Sequence, residues 1–304
     1  MTKKYQYTNE EIKQASQNIR KRALRLVIDK GGGHLGQTCS AVDIFATLYM
    51  RILHLGESLG SPTAEMFSQP PGSGSKNRKT GALYHGPIGE QYDRFVISPP
   101  QYATLVYCTL IELGRLDHDA LSYFDKDGWN MEVIAAEHSP GFENMGGSLS
   151  QTISIAVGYA HARKLKGEKR KVFAFISDGE SEEGQTWEAI QSAVALKLDN
   201  LVIYLDANGQ QCEGPTADIL NINYNDYYNR FKAFGAETVL VDGHDIDALA
   251  AAAEVPHPGK PLVVVCNTSC TTGIPLLEHK RPNLHFISFG KDELAEIEAF
   301  YAQM

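Results

Sequence analysis

Cysteine is scarce and odd in number: Cys39, Cys108, Cys212, Cys266 and Cys270 are scattered along 304 residues. A disulfide framework needs an even, clustered set. The one close pair, Cys266 and Cys270, has no second pair to complete a zinc site. All five read as reduced thiols. Basic charge is also in short supply, with 28 Lys and Arg against 37 Asp and Glu and a net charge of −9. That balance speaks against a nucleic-acid surface as the main task. No run approaches the ~18 uncharged apolar residues of a membrane span. The first residues, Met-Thr-Lys-Lys-Tyr-Gln, turn polar at once and lack the apolar stretch of a signal peptide. A cytoplasmic protein with neither nucleic acid nor membrane as partner is therefore expected. Repeats and low-complexity tracts are absent from the sequence as well. What is present is an ordinary globular composition, 43% hydrophobic and 21% charged, long enough for one large domain or two small ones.

Thr8 followed by Glu11 fits a capping box. Ile12, Ala15, Ile19, Ala23 and Leu26 recur at helical spacing up to Gly31-Gly32-Gly33. A second helical pattern spans about Ala41 to Leu53. The stretch from Gly56 to about Tyr92 is dense in Gly, Pro and Ser and is expected to be an irregular surface insertion. From Met131 onward the chain alternates. Val172 to Ile176, Leu201 to Leu205, Thr238 to Val241 and Leu262 to Cys266 are short apolar runs. Helical segments at about 152–166, 183–197, 224–234 and 246–253 lie between or beside them. Continuous apolar strands alternating with helices predict a single α/β domain over 1–304, a parallel sheet with helices on both faces. Ligands of such sheets sit at the carboxyl ends of the strands.

Two strand ends carry the chemistry. Ser177-Asp178-Gly179-Glu180 follows the first run, and Asp206-Ala207-Asn208-Gly209-Gln210 follows the next. Either half alone reads as a turn, since Asp-Gly and Asn-Gly are common turn dipeptides. Together, at the ends of neighbouring strands about 5 Å apart, Asp178 and Asn208 can meet at one point. A carboxylate, an amide oxygen and a backbone carbonyl are hard donors that suit Mg²⁺ or Ca²⁺ and leave positions open for phosphate oxygens. Gly179 lets a phosphate approach the backbone, and the helix N-terminus beyond it favours negative charge.

This pattern resembles the signature of thiamine-diphosphate enzymes, Gly-Asp-Gly followed about thirty residues later by Asn. Its surroundings are similar to the transketolase family: Ser177 to Gly184 with Trp187-Glu188-Ala189, Leu196 to Leu201, Asn208 to Thr216, and Val241-Asp242-Gly243-His244-Asp245. Upstream, Gly33-His34-Leu35-Gly36 with Ser40 to Asp43, and Pro140 to Glu143 with Gly147 to Gln151, fit as well. The resemblance implies the thiamine-diphosphate-binding fold, with thiamine diphosphate and Mg²⁺ as cofactors and Ca²⁺ as a possible substitute. It implies transfer of a two-carbon ketol unit from a ketose to an aldose. Complete family members carry diphosphate-binding, pyrimidine-binding and C-terminal domains on one chain, and this sequence matches the first. It therefore looks like the N-terminal subunit of a split transketolase, expected as an α2β2 assembly with a partner that carries the pyrimidine domain. By the same resemblance Asp178, Asn208 and the Gln210 carbonyl would hold the metal. Gly179 and Glu180 would touch the diphosphate, and Gly147, Ser148 and Leu149 would lie against the aminopyrimidine. His34 would bond substrate hydroxyls. Glu183 would link two active sites, unless it is simply a carboxylate favoured by a helix N-terminus. His285 would reach the diphosphate, or else cap a loop.

Several positions depart from the family. Gln101 stands where a histidine is usual, able to hydrogen-bond but not to move a proton. Pro99-Pro100 before it could instead turn it to solvent. Ser177, Ser150 and Thr152 replace glycines, and Met131-Glu132-Val133 stand where Gly-His-Pro is expected. His138 lies close by but about five residues late, so it receives no role. Residues 267–273 replace a stretch that is usually rich in lysine. A changed substrate shell around an intact cofactor core implies an unusual donor or acceptor. Another thiamine-diphosphate branch, such as a deoxyxylulose-phosphate synthase or an acyloin-forming relative, is the competing enzyme reading, and a silent cofactor-binding subunit the non-enzyme one. A nicotinamide dehydrogenase is disfavoured, because no Gly-x-Gly-x-x-Gly turn joins a first strand to a helix.

Overall fold

In the computed structural model, which describes residues 7–66 and 80–304, the first helix forms where the capping box places it. Thr8 accepts from the Glu11 N–H, the Glu11 side chain accepts from the Thr8 N–H, and α1 (Asn9–Lys30) stops at Gly31 with φ +78°. A left-handed terminus suits glycine because no Cβ opposes it. The second helix, α2 (Leu35–Thr47), continues into one π-helical turn, Leu48–Ile52. It begins ahead of the expected start near Ala41. Every residue of α2 is buried, so there is no polar face to produce a periodic contrast.

Next come β1 (Arg94–Ile97), α3 (Ala103–Glu112), α4 (Gln151–Lys166), β2 (Val172–Ser177), α5 (Gly184–Ala195) and β3 (Leu201–Ala207). A short hairpin of β4 (Gln210–Gln211) and β5 (Gly214–Pro215) leads to α6 (Thr216–Leu220) and α7 (Tyr224–Ala233). The chain closes with β6 (Glu237–Asp242), α8 (Ile246–Ala252), β7 (Leu262–Asn267) and α9 (Lys291–Gln303). Five strands form one parallel sheet in the order β1-β2-β3-β7-β6. Strand β1 escapes a sequence reading because four residues carry too little pattern. Its pairing with β2, from Arg94 opposite Val172 to Ile97 opposite Phe175, makes it a strand.

Side chains along each strand alternate between two apolar layers. Phe95, Phe173, Phe175, Val202, Tyr204 and Val264 pack with α1, α2 and α3, whereas Val96, Ala174, Ile176, Ile203, Leu205 and Val263 pack with α4, α5 and α7. Both faces of β2, β3 and β7 are thus buried, which is why these strands read as unbroken apolar runs. The five cysteines are free thiols, all buried except Cys212. Among the described residues no helix is long and apolar enough to cross a membrane.

Part of the irregular stretch at 56–92, residues 67–79, lies outside the described residues. The remainder does not all lie on the surface as expected. A 3-10 turn at Gly81–His85 buries Ala82, Tyr84 and His85. A Cβ at Gly81 would stand 1.8 Å from the Ser139 oxygen, so only glycine lets this turn seat so deeply. Gly, Pro and Ser signal irregular backbone, which is not the same as exposure.

Phe175 sits at the middle of the sheet with Phe45 and Tyr102 edge-on at ring-centroid distances of 4.8 and 4.9 Å. Phe175→Ala is expected to lower the unfolding free energy by about 3–5 kcal/mol, measured by urea denaturation. A loss below about 1 kcal/mol would mean that this contact layer is not a keystone of the core.

Candidate active site

Strands β2 and β3 pair in register up to Ser177 opposite Asp206, so the turns that follow them leave the sheet side by side. Asp178 uses both carboxylate oxygens to bind these turns. Its Oδ1 accepts from the Gly179 N–H at 2.9 Å and its Oδ2 from the Gly209 N–H at 2.7 Å. Asn208 Oδ1 accepts from the Gln210 N–H at 2.9 Å. Gln210 faces Pro215 across the β4–β5 hairpin. Thr216 N–H bonds the Gly209 carbonyl, which makes Gln210 and Pro215 a non-hydrogen-bonded pair, so the Gln210 carbonyl is not taken up by its ladder partner. Asp178 is thus brought against the turn that carries Asn208 and Gln210.

Asp206, to which the sequence reading gave no role, organises the rest. Its fully buried carboxylate accepts from Ser40 Oγ at 2.6 Å, Tyr102 OH at 2.7 Å, Asn208 Nδ2 at 2.9 Å and the Thr268 hydroxyl. With the Asn208 amide nitrogen also near Tyr102 OH and Ser40 Oγ, its oxygen is left for the other side. The available signal was an Asp within an otherwise apolar strand, two residues before Asn208 and hence on the same face.

Burial pushes the Asp178 carboxyl up to about 8, with the Asp206 charge adding to the effect. Burial raises Asp206 as well, opposed by its hydroxyl donors. A pair of buried carboxylates so placed would be relieved by a hard cation. The donors, one carboxylate, one amide oxygen and one carbonyl, fit Mg²⁺ or Ca²⁺ rather than a soft metal. No cage of three or more His, Cys, Asp or Glu occurs among the described residues. A cation bound here would therefore stay open to phosphate oxygens.

A further buried carboxylate joins the neighbouring loops. Glu180 accepts from the Ser98 hydroxyl beyond β1 and from the Ser150 N–H at 2.7 Å, while Ser150 Oγ donates to the Glu180 carbonyl at 2.8 Å. Burial raises its carboxyl to about 7 against the pull of these bonds. Ser150 has φ +67°, a left-handed conformation in which glycine is the comfortable residue. Its two bonds to Glu180 offset the strain. This tie brings the loop with Gly147 and Ser148, both exposed, and Leu149, half-buried, beside the Asp178 turn. Gln101 lies on the 3-10 turn Pro100–Tyr102. Its Oε1 is shielded from solvent and accepts no hydrogen bond within the described chain, so the two prolines have not turned it outward.

His34 is the N-cap residue of α2, 7% exposed. Its ring meets His285 and Phe286 edge-on at 5.3 and 5.4 Å. Burial first, then the neighbouring His285, lowers its pKa to about 4, so the ring is neutral at pH 7. Because Ser40 lies on the same helix and reaches Asp206 and Asn208, α2 ties the histidine pair to the Asp178 turn. Glu183 is not drawn into this cluster. It is exposed at the N-cap of α5, and its side chain makes no cap bond.

Comparison with known proteins agrees with this geometry. The family model for the transketolase thiamine diphosphate binding domain matches residues 82–302. An uncharacterized transketolase family protein, y4mO, of Sinorhizobium fredii is 33% identical over 293 residues, covering 95% of this chain and 94% of that protein. An apulose-4-phosphate transketolase subunit from Actinobacillus succinogenes is 31% identical over 302 residues, covering 96% of this chain and 99% of that protein. The 6-deoxy-6-sulfo-D-fructose transketolase subunit SqwG of a Clostridium species is 28% identical over 265 residues, covering 86% of each. The crystal structure of Campylobacter jejuni transketolase superposes with a TM-score of 0.75 at 23% identity, over 97% of this chain and 43% of the longer one. With its parallel sheet, its two joined strand-end turns and these relatives, the chain belongs to the transketolase family and carries that family's thiamine diphosphate binding domain.

Proposed function

We propose that the chain is the diphosphate-binding subunit of a two-chain transketolase that works in the cytoplasm and moves a two-carbon ketol unit from a ketose to an aldose. All of 1–304 serves as this one domain. The observation that carries the reading is the turn at 208–210, folded onto Asp178 at the ends of adjacent strands. Asp178, Asn208 Oδ1 and the Gln210 carbonyl would hold Mg²⁺, with Ca²⁺ able to substitute. The Gly179 and Glu180 backbone would bind the diphosphate, and Gly147, Ser148 and Leu149 would hold the aminopyrimidine. When bound, thiamine diphosphate supplies a carbon nucleophile that takes up the ketol fragment and passes it on.

The chain's own side chains orient the sugar. His34, kept neutral by burial, would bond a substrate hydroxyl without adding charge. Gln101 presents a shielded, unpartnered amide oxygen where the family has histidine, and would accept from a hydroxyl. His285 would donate to the diphosphate. Glu183, exposed at the start of α5, would face a neighbouring subunit. The relatives named as subunits for apulose-4-phosphate and 6-deoxy-6-sulfo-D-fructose support a partner subunit and an unusual sugar; that partner would carry the pyrimidine-binding and C-terminal domains in an α2β2 assembly.

Asp178→Ala is expected to abolish Mg²⁺-dependent binding of thiamine diphosphate, because the diphosphate loses its charge-neutralising bridge. Calorimetry that finds unchanged affinity would overturn the metal assignment. Activity is expected only when the partner polypeptide is present. An active preparation in which mass spectrometry detects this chain and no other would contradict the split assembly. Gln101→Ala is expected to reduce kcat/KM on the preferred ketose by about 1–3 kcal/mol, while Gln101→His leaves cofactor binding intact and shifts preference towards ordinary sugar phosphates. A donor panel that includes apulose 4-phosphate and 6-deoxy-6-sulfo-D-fructose provides the measurement. Wild-type values for both variants on every donor would remove Gln101 from the substrate shell.

A further inference from the structure

Beyond the residues assigned so far, one side chain of α2 controls His285. Gln37 is 3% exposed, and its Nε2 lies 2.7 Å from His285 Nδ1. His285 itself is half-buried. An amide nitrogen has only hydrogens to offer, so Nδ1 is the accepting nitrogen. The single proton of the neutral ring then belongs to Nε2. Burial lowers the pKa of His285, which keeps the ring neutral. Nε2 makes no hydrogen bond within the described chain.

The segment that carries His285 is held just as firmly. Gly33 and Ile287 exchange two backbone hydrogen bonds, both 2.9 Å. A Cβ at Gly36 would stand 2.1 Å from the Leu284 oxygen, and one at Gly32 would stand 2.7 Å from the Phe286 ring. The glycines on either side of His34 therefore let 284–287 lie directly on the start of α2. With the backbone and one ring nitrogen fixed, Nε2–H is the one polar atom of the ring left for a ligand.

We propose that Gln37 is a positioning residue that locks His285 in its Nε2–H tautomer, making it a neutral hydrogen-bond donor for an oxyanion, the diphosphate of the cofactor. The identity of that oxyanion rests on the proposed function; the tautomer does not. Without Gln37 the proton distributes over both nitrogens, and part of the population presents a lone pair to an anion.

Side-chain ¹⁵N NMR of the labelled full chain, free of cofactor, reads the tautomer, with His285→Gln identifying the signals. Calorimetry with Mg²⁺ and thiamine diphosphate reads the consequence. Wild type is expected to show a protonated Nε2 and a bare Nδ1. Gln37→Met, similar in size but without the donor, should lose the single tautomer and weaken cofactor binding roughly three- to tenfold, what one hydrogen bond contributes. Gln37→Glu, whose carboxylate can only accept, should bring a proton onto Nδ1. A wild-type ring protonated on Nδ1, or a Gln37→Met chain with unchanged tautomer, overturns the proposal. If the tautomer responds while cofactor affinity does not, Gln37 still sets the ring, and the placement of His285 on the diphosphate is what fails.

Discussion

The loops of the site are held in place by one buried carboxylate, that of Asp206. Its four donors come from four places in the chain: Ser40 in α2, Tyr102 beyond β1, Asn208 beyond β3 and Thr268 beyond β7. A carboxylate taken out of water without partners costs several kcal/mol, far more than any one hydrogen bond returns. The donors are therefore obligatory, and so is the arrangement of the loops that carry them. Rigid strands fix the loop bases, and Asp206 fixes their tips.

Glu180 repeats the device on the other side of Asp178. It joins the turn after β1, through Ser98, to the loop before α4, through Ser150. Asp178 is itself held by backbone N–H groups from both turns. Burial raises the carboxyls of both Asp178 and Glu180, with the Asp206 charge adding to the effect at Asp178.

The departures from the family pattern fall into two physical classes. Ser150 keeps the backbone geometry of the glycine it replaces, because local hydrogen bonds hold a left-handed residue in place. Gln101 keeps the position of a histidine but changes what can be done there, replacing a titratable ring by an amide with an unanswered oxygen. Under the proposed function, the first class would maintain the cofactor cradle, and the second would alter the surface that a sugar meets.

The sequence by itself determined the local and periodic features. The Thr8–Glu11 box started α1 and Gly31 ended it. Unbroken apolar runs marked four of the five sheet strands, and in β2, β3 and β7 this follows because burial on both faces leaves no polar alternation. Asp178 and Asn208 could be paired because each follows a strand immediately, and the register of β2 and β3 does the rest. What lay outside that reading depends on distant segments meeting. Strand β1 needed β2 to define it, α2 was too uniformly buried to show a face, and Gly81–His85 was drawn inward by contacts with 137–142. The work of Asp206 spans 166 residues to Ser40, and that of Gln37 spans 248 to His285. Hydrogen bonds at such separations leave no periodic trace in a chain; they exist only once the sheet has brought its carboxyl ends together.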